Sequence, residues 1–235
     1  MVDYTLYYWP LPFRGEFVRA VLAHVGVRWN EADIDTIVEE KSAEPARQLI
    51  PHMGPPLLID HRAKVTISQL PAVLAYLGVR HALMPSDPVA MALTHKVIGD
   101  ANDVLYEMTR HNGDQMWTEA AWSAYQPRLH RWLAIFEEMG RRHSLRPESG
   151  YLLDTAEPGM ADLVCAVLWG RMTGCLPQLR PLLDTHAPAV AGLCDRITAI
   201  PSQAVLAERS VAAFGTAWCG GDIEGSLRAV LGRQG

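Results

Sequence analysis

Basic residues are in short supply. Twenty-one Lys and Arg stand against 26 Asp and Glu, a net charge of −5. No cationic excess exists to neutralise a phosphate backbone, so nucleic acid is not expected as a partner. Long apolar runs are missing too. The richest, Leu163-Val164-Cys165-Ala166-Val167-Leu168-Trp169-Gly170, stops between Asp162 and Arg171, far short of the roughly 20 residues of a membrane span; no membrane partner is expected. Cysteine is scarce. Cys165, Cys175, Cys194 and Cys219 follow one another at spacings of 10, 19 and 25, which match neither a metal knuckle nor a C-x-x-C pair. They read as incidental or buried thiols. The nine histidines form no H-E-x-x-H pattern, so no metal is expected. Met1-Val2-Asp3-Tyr4 has neither the basic region nor the apolar block of a secretory signal, and a cytoplasmic location is the expectation.

What is present is core-forming material. Of 235 residues, 49% are hydrophobic and 20% charged, enough apolar surface to offset chain entropy and exclude disorder as the main state. The length allows one large or two small domains. Residues 1–83 mix strand and helix signals. Tyr4-Thr5-Leu6-Tyr7-Tyr8-Trp9 is aromatic and β-branched and stops at Pro10, as a buried strand would. Phe17, Val18, Val21, Leu22 and Val25 recur at helical spacing before Gly26. A second strand is expected over 27–32, a short helix over 43–49, a hairpin from 56–60 and 64–67, and a helix over 71–77 opened by Pro71. Glu39-Glu40-Lys41 reads as a solvated loop. The order is β-α-β-α-β-β-α.

Residues 84–88, Met84-Pro85-Ser86-Asp87-Pro88, read as a linker, because two prolines disfavour helix and Ser or Asp can cap the next one. Beyond it the helical period dominates over 89–110, 118–139, 162–173, 187–199 and 202–213. The second domain, 89–235, is expected to be all-helical.

Several motifs in this order resemble the soluble, cytosolic-type glutathione S-transferase superfamily, in its tyrosine-type classes. Tyr7-Tyr8-Trp9-Pro10 followed by Arg14, Glu16 and Arg19 is similar to that family's opening, where a tyrosine ends the first strand ahead of an R-x-E-x-x-R spacing. Pro56-Leu57-Leu58-Ile59-Asp60 resembles its P-x-L-x-D segment, Gln69-Leu70-Pro71-Ala72-Val73-Leu74-Ala75-Tyr76-Leu77 its Q-S-x-A-I-x-x-Y-L segment, and Gly159-Met160-Ala161-Asp162 its S/T-x-A-D capping box. The resemblance implies an α/β thioredoxin-like N-terminal domain plus an all-α C-terminal domain, in a homodimer. It further implies glutathione as co-substrate, activated as thiolate for attack on a small hydrophobic electrophile. Tyr8 and Arg14 would be catalytic. Pro55, Pro56 (cis), Gln69 and Leu70 would contact glutathione, and Asp103 would reach the partner subunit's γ-glutamyl amine. Tyr7 is a rival to Tyr8, since adjacent strand residues face opposite ways; register alone favours Tyr8.

Departures from the pattern keep other readings open. Leu70 replaces a serine hydroxyl, for which Ser68 or Thr66 is the nearest substitute. Pro55 has no N–H to offer a peptide ligand, and Gly54 stands where relatives carry a polar side chain. Gly159 as N-cap costs only a few tenths of a kcal/mol. A transferase-fold binding or scaffold protein, or a glutathione-dependent peroxidase or isomerase, are the alternatives. Trp117, Trp122 and Trp132 fit core or pocket lining equally well.

Overall fold

The computed structural model describes residues 2–233; Met1, Gln234 and Gly235, at the outer limits of the expected domains, lie outside the described residues. The first part is built on a four-stranded sheet of order β2-β1-β3-β4. β1 (Tyr4–Tyr7) runs parallel to β2 (Trp29–Glu31) and antiparallel to β3 (Leu57–Asp60), which pairs antiparallel with β4 (Val65–Ser68). α1 (Phe13–His24) follows β1, α2 (Ile34–Ser42) lies between β2 and β3, and α3 (Leu70–Arg80) follows β4. Val18, Val21 and Leu22 of α1 share one core with Leu6, Leu58, Val73, Leu74 and Leu77, which is what the helical and strand periodicities require.

After Met84–Asp87, non-helical as the two prolines dictate, every regular element among the described residues is a helix. α4 (Pro88–Met108) is capped by Asp87, whose carboxylate accepts from the Ala90 N–H at 2.8 Å. α5 (Arg110–Gly113) is a single turn, and α6 (Glu119–Arg142) is capped by Thr118. α7 (Met160–Cys165) continues through a π-helical stretch, Ala166–Arg171, into α8 (Met172–Cys175). α9 (Arg180–His186), α10 (Pro188–Thr198), α11 (Pro201–Phe214) and α12 (Gly221–Leu231) complete the chain. α7 is buried along its whole length and touches α1, α4 and α10, as its all-round apolar sequence requires. Asp162, 1% exposed, anchors it by accepting from the N–H groups of Leu152 at 2.7 Å and Gly159 at 2.8 Å.

The expected helix over 43–49 is replaced by turns, and the helix lies earlier. Asp33 caps α2 by accepting from the Thr36 N–H at 2.9 Å, Ala43 leaves the helix with ψ 151°, and Pro45 discourages helix at Glu44. Glu39-Glu40-Lys41 is therefore the last turn of α2, not a loop. Trp117 and Trp122 are core residues, and Trp132 is half-buried. α9 and α12 carry no signal strong enough to have been expected.

Two of the motif segments meet. The Asp60 carboxylate accepts from the N–H groups of Arg62 and Ala63, each at 2.8 Å, and from the Tyr76 hydroxyl at 2.7 Å, closing the β3–β4 turn and tying it to α3. Burial pushes this carboxyl up, but the Ala63 N–H, the Tyr76 hydroxyl and the Arg62 N–H outweigh it and hold the group below its usual range. A depressed folded value contributes stability above the unfolded value of about 3.9, lost as pH falls through the folded value. Asp60→Asn should therefore lower stability by about 1.5–3 kcal/mol at neutral pH. Urea midpoints of wild type and variant should differ there and converge in strong acid.

Candidate functional site

β1 ends at Tyr7, and Tyr8 turns inward behind it, 3% exposed. Its hydroxyl oxygen accepts the backbone N–H of Arg14 at 3.0 Å, in the first turn of α1, where no side chain caps the helix. The ring lies so close to Gly15 that a Cβ there would come within 2.3 Å of a ring carbon. Arg19 fixes the connecting loop from inside. Its guanidinium grips the Glu31 carboxylate through two hydrogen bonds of 2.8 and 2.7 Å, donates to the Leu11 carbonyl at 2.9 Å, and sits 5.8 Å from the Tyr8 ring centroid. Burial raises the Tyr8 phenol far above its ordinary range, more than the charges of Arg14 and Arg19 lower it. The phenol is thus protonated across the physiological range. Its oxygen is occupied by the Arg14 N–H, and its own hydrogen is the group it can donate.

Tyr8 lines a cleft of about 510 Å³. Arg14, Pro55, Pro56, Gln69 and Leu70 line the same cleft, so six of the seven residues singled out from the sequence converge. Asp103 does not: it is exposed on α4, outside this chain's cleft, while its neighbour Asn102 faces in. Tyr7, Ser68 and Thr66 are also absent from the lining; neither hydroxyl replaces the serine that Leu70 displaces. The Pro55–Pro56 bond is cis. Gln69 has φ 73° and ψ 122°, a sparsely populated conformation for a side-chain-bearing residue, and α3 begins beside it without a side-chain cap. Leu70 itself belongs to the core.

The Arg14 guanidinium lies 4.7 Å from the Phe13 ring centroid. Its Nε donates to Asn102 Oδ1 at 3.4 Å and its Nη2 to Asn112 Oδ1 at 3.0 Å. Among the described residues no carboxylate lies within ion-pair distance of it. An unneutralised cation, a protonated phenol, an open helix start and a cis-proline loop together suit an extended ligand that carries negative charge.

Sequence reasoning missed the far wall. Cys219 and Ile223 line the cleft, brought there because the Glu224 carboxylate gathers the N–H groups of Trp218, Cys219 and Gly220 at 2.9, 2.8 and 2.6 Å. The Phe13 N–H donates to the Trp218 carbonyl at 3.0 Å, docking this turn on the start of α1. Cys219 is therefore not an incidental thiol. Burial, followed by the Glu224 charge, pushes it up to about 12, so it meets the cleft as neutral S–H. Lys41, taken from the sequence as part of a solvated run, also lines the cleft. No local pattern marks these positions.

Residues 93–230 match the family described as "Glutathione S-transferase, C-terminal domain". No curated protein matches the chain significantly. Among solved structures, NaGST1 superposes with a TM-score of 0.71 at 18% identity, covering 88% of this chain and 97% of that one. Ure2p in complex with glutathione gives 0.69 at 17% identity, over 88% and 93%. Prostaglandin synthase D of Nilaparvata lugens gives 0.65 at 18% identity, over 88% and 98%. At these identities the likeness is one of fold.

Gly15→Ala tests the geometry around Tyr8. Helix propensity alone predicts a gain of about 1 kcal/mol, whereas forcing a methyl against the ring costs about 1–3 kcal/mol. A net loss in denaturation, with the Tyr8 ring displaced in a crystal structure of the variant, is the expected outcome.

Proposed function

The chain belongs to the glutathione S-transferase family, and on that premise we propose that it activates the thiol of glutathione as thiolate for attack on a small hydrophobic electrophile. A free thiol of pKa about 8.5 is only about 3% ionised at pH 7. Making thiolate the major form requires a depression of about two units, roughly 2.7 kcal/mol of preferential stabilisation. One hydrogen bond to an anion supplies about 1.5–3 kcal/mol. The observation that supports this reading most is the Tyr8 hydroxyl, held at 3.0 Å by the Arg14 N–H and lining the cleft with its own hydrogen to give.

In this reading Tyr8 donates to the sulfur, and Arg14 adds charge. The open start of α3 and Gln69 receive a carboxylate, and the loop of Pro55 and cis-Pro56 pairs with the cysteinyl backbone through its carbonyl side. The thiol proton leaves to water. The sulfur then forms a bond to carbon, and either a leaving group departs with its electron pair or the carbanion produced by addition takes a proton from water. Phe13, Tyr106 and Ile223 supply an apolar wall for the electrophile. Residues 1–83 would form the glutathione-binding unit and 89–235 the part that shapes the acceptor pocket. A cytoplasmic homodimer completes the reading, with exposed Val65, Val79 and Val89 as apolar surface for a second copy and exposed Asp103 serving the partner's site.

A second reading, a glutathione-fold binding module without turnover, is favoured by Pro55, which lacks an N–H, and by the buried Leu70.

Retention on immobilised glutathione and thiol-conjugation rates separate the two. Wild type should be retained and active. Tyr8→Phe should be retained equally but lose about 10- to 150-fold in kcat/KM, the equivalent of one hydrogen bond to an anion. Retention without conjugation in the wild type would establish the binding module instead. Light scattering should give twice the 26.0 kDa chain mass.

A further inference from the structure

The turn between α4 and α6 is left-handed over four successive residues. Arg110, His111 and Asn112 have φ of 43°, 65° and 58°, and Gly113 follows at 88°. Left-handed backbone costs an ordinary residue roughly 1–2 kcal/mol, less for Asn and least for Gly. Such a run persists only where its surroundings over-determine it. Here they do: the Arg110 guanidinium sits 5.0 Å from the Trp117 ring centroid, His111 meets Tyr106 edge-on at 4.8 Å, and the Gly113 N–H donates to the Thr109 carbonyl at 2.7 Å.

The turn delivers one group to the cleft. Asn112 lines it, and its Oδ1 receives Arg14 Nη2 at 3.0 Å. Asn102 holds Nε of the same guanidinium from α4. Both acceptors are neutral. A carboxylate at either place would bind the guanidinium about twice as strongly but would cancel its charge.

We propose that Asn112, presented by the left-handed turn 110–113, is a positioning residue that holds Arg14 toward the cleft with its charge uncompensated, so that the charge acts on the sulfur of bound glutathione. This rests on the thiol-activating reading above. The choice of amide over carboxylate trades fold stability for a cation that the ligand can use. The left-handed backbone is what turns position 112 toward Arg14, and asparagine is the amide-bearing residue that tolerates it best.

The test compares wild type, Asn112→Gly and Asn112→Asp by the ultraviolet absorbance of bound thiolate titrated against pH, alongside urea denaturation. Glycine suits φ 58° at least as well as asparagine, and aspartate adds an ion pair to Arg14, so neither variant should fall below wild-type stability. Both should nevertheless raise the pH at which the bound thiol ionises, Asn112→Asp by about one pH unit, or tenfold less thiolate below the transition. Stability held while ionisation shifts upward is a pattern that a merely structural residue does not produce. If the wild type ionises the bound thiol at lowered pH and both variants match it, this inference is overturned and the thiol-activating reading stands. If the wild type leaves the bound thiol at its solution value, both are overturned.

Discussion

The hydrogen bond from the Arg14 N–H to the Tyr8 hydroxyl joins the end of β1 to the first turn of α1, and the rest of the site is arranged around it. It requires a residue without a side chain at position 15, because the ring occupies the space of a Cβ. It requires a rigid loop between strand and helix, which the buried Arg19 provides by binding Glu31 and the Leu11 carbonyl together. The spacing of Arg14, Glu16 and Arg19 distributes three charges by helix geometry. Positions 16 and 19 share one face three residues apart, while position 14 points elsewhere. Arg14 thus lines the cleft while Glu16 and Arg19 are buried.

Glu16 carries the same constraint across the molecule. Its carboxylate accepts from the Ser210 hydroxyl at 2.5 Å and lies 3.6 Å from Arg171, so α11 and the π-helical segment after α7 are tied to the helix that holds Tyr8. Gln203 adds a bond from α11 to the Ala20 carbonyl at 2.9 Å. A buried ion network of this kind is a poor source of net stability. Its geometric effect is to fix α1 against the helices that form the opposite wall of the cleft.

The cleft combines features that pull in different directions. Pro55 gives up an N–H and Leu70 gives its side chain to the core, so two sources of ligand hydrogen bonds are absent on the side of the sheet. On the opposite wall, Asn102 and Asn112 leave Arg14 without a countercharge, and the Glu224 carboxylate is spent on three N–H groups of the Trp218–Gly220 turn instead of on the arginine. Recognition is thereby shifted from backbone pairing toward charge. Cys219, neutral in this setting, adds a polarisable surface beside the phenol.

The sequence by itself determined the order of strands and helices, the cis-proline loop, and the convergence of Tyr8, Arg14, Pro55, Pro56, Gln69 and Leu70. Each of these follows from local rules: alternation or helical period, a proline that stops a strand, a carboxylate that caps a helix, motif segments in sequence order. Local rules also explain the misplaced helix, since 43–49 has helical composition but Pro45 and the Asp33 cap decide the outcome three-dimensionally. Only the tertiary structure decided that Asn112 meets Arg14 across 98 residues, that Cys219 and Ile223 close the far wall, and that Gly15 must be bare. No periodicity encodes such contacts, because they depend on how whole elements pack and not on what any one segment prefers.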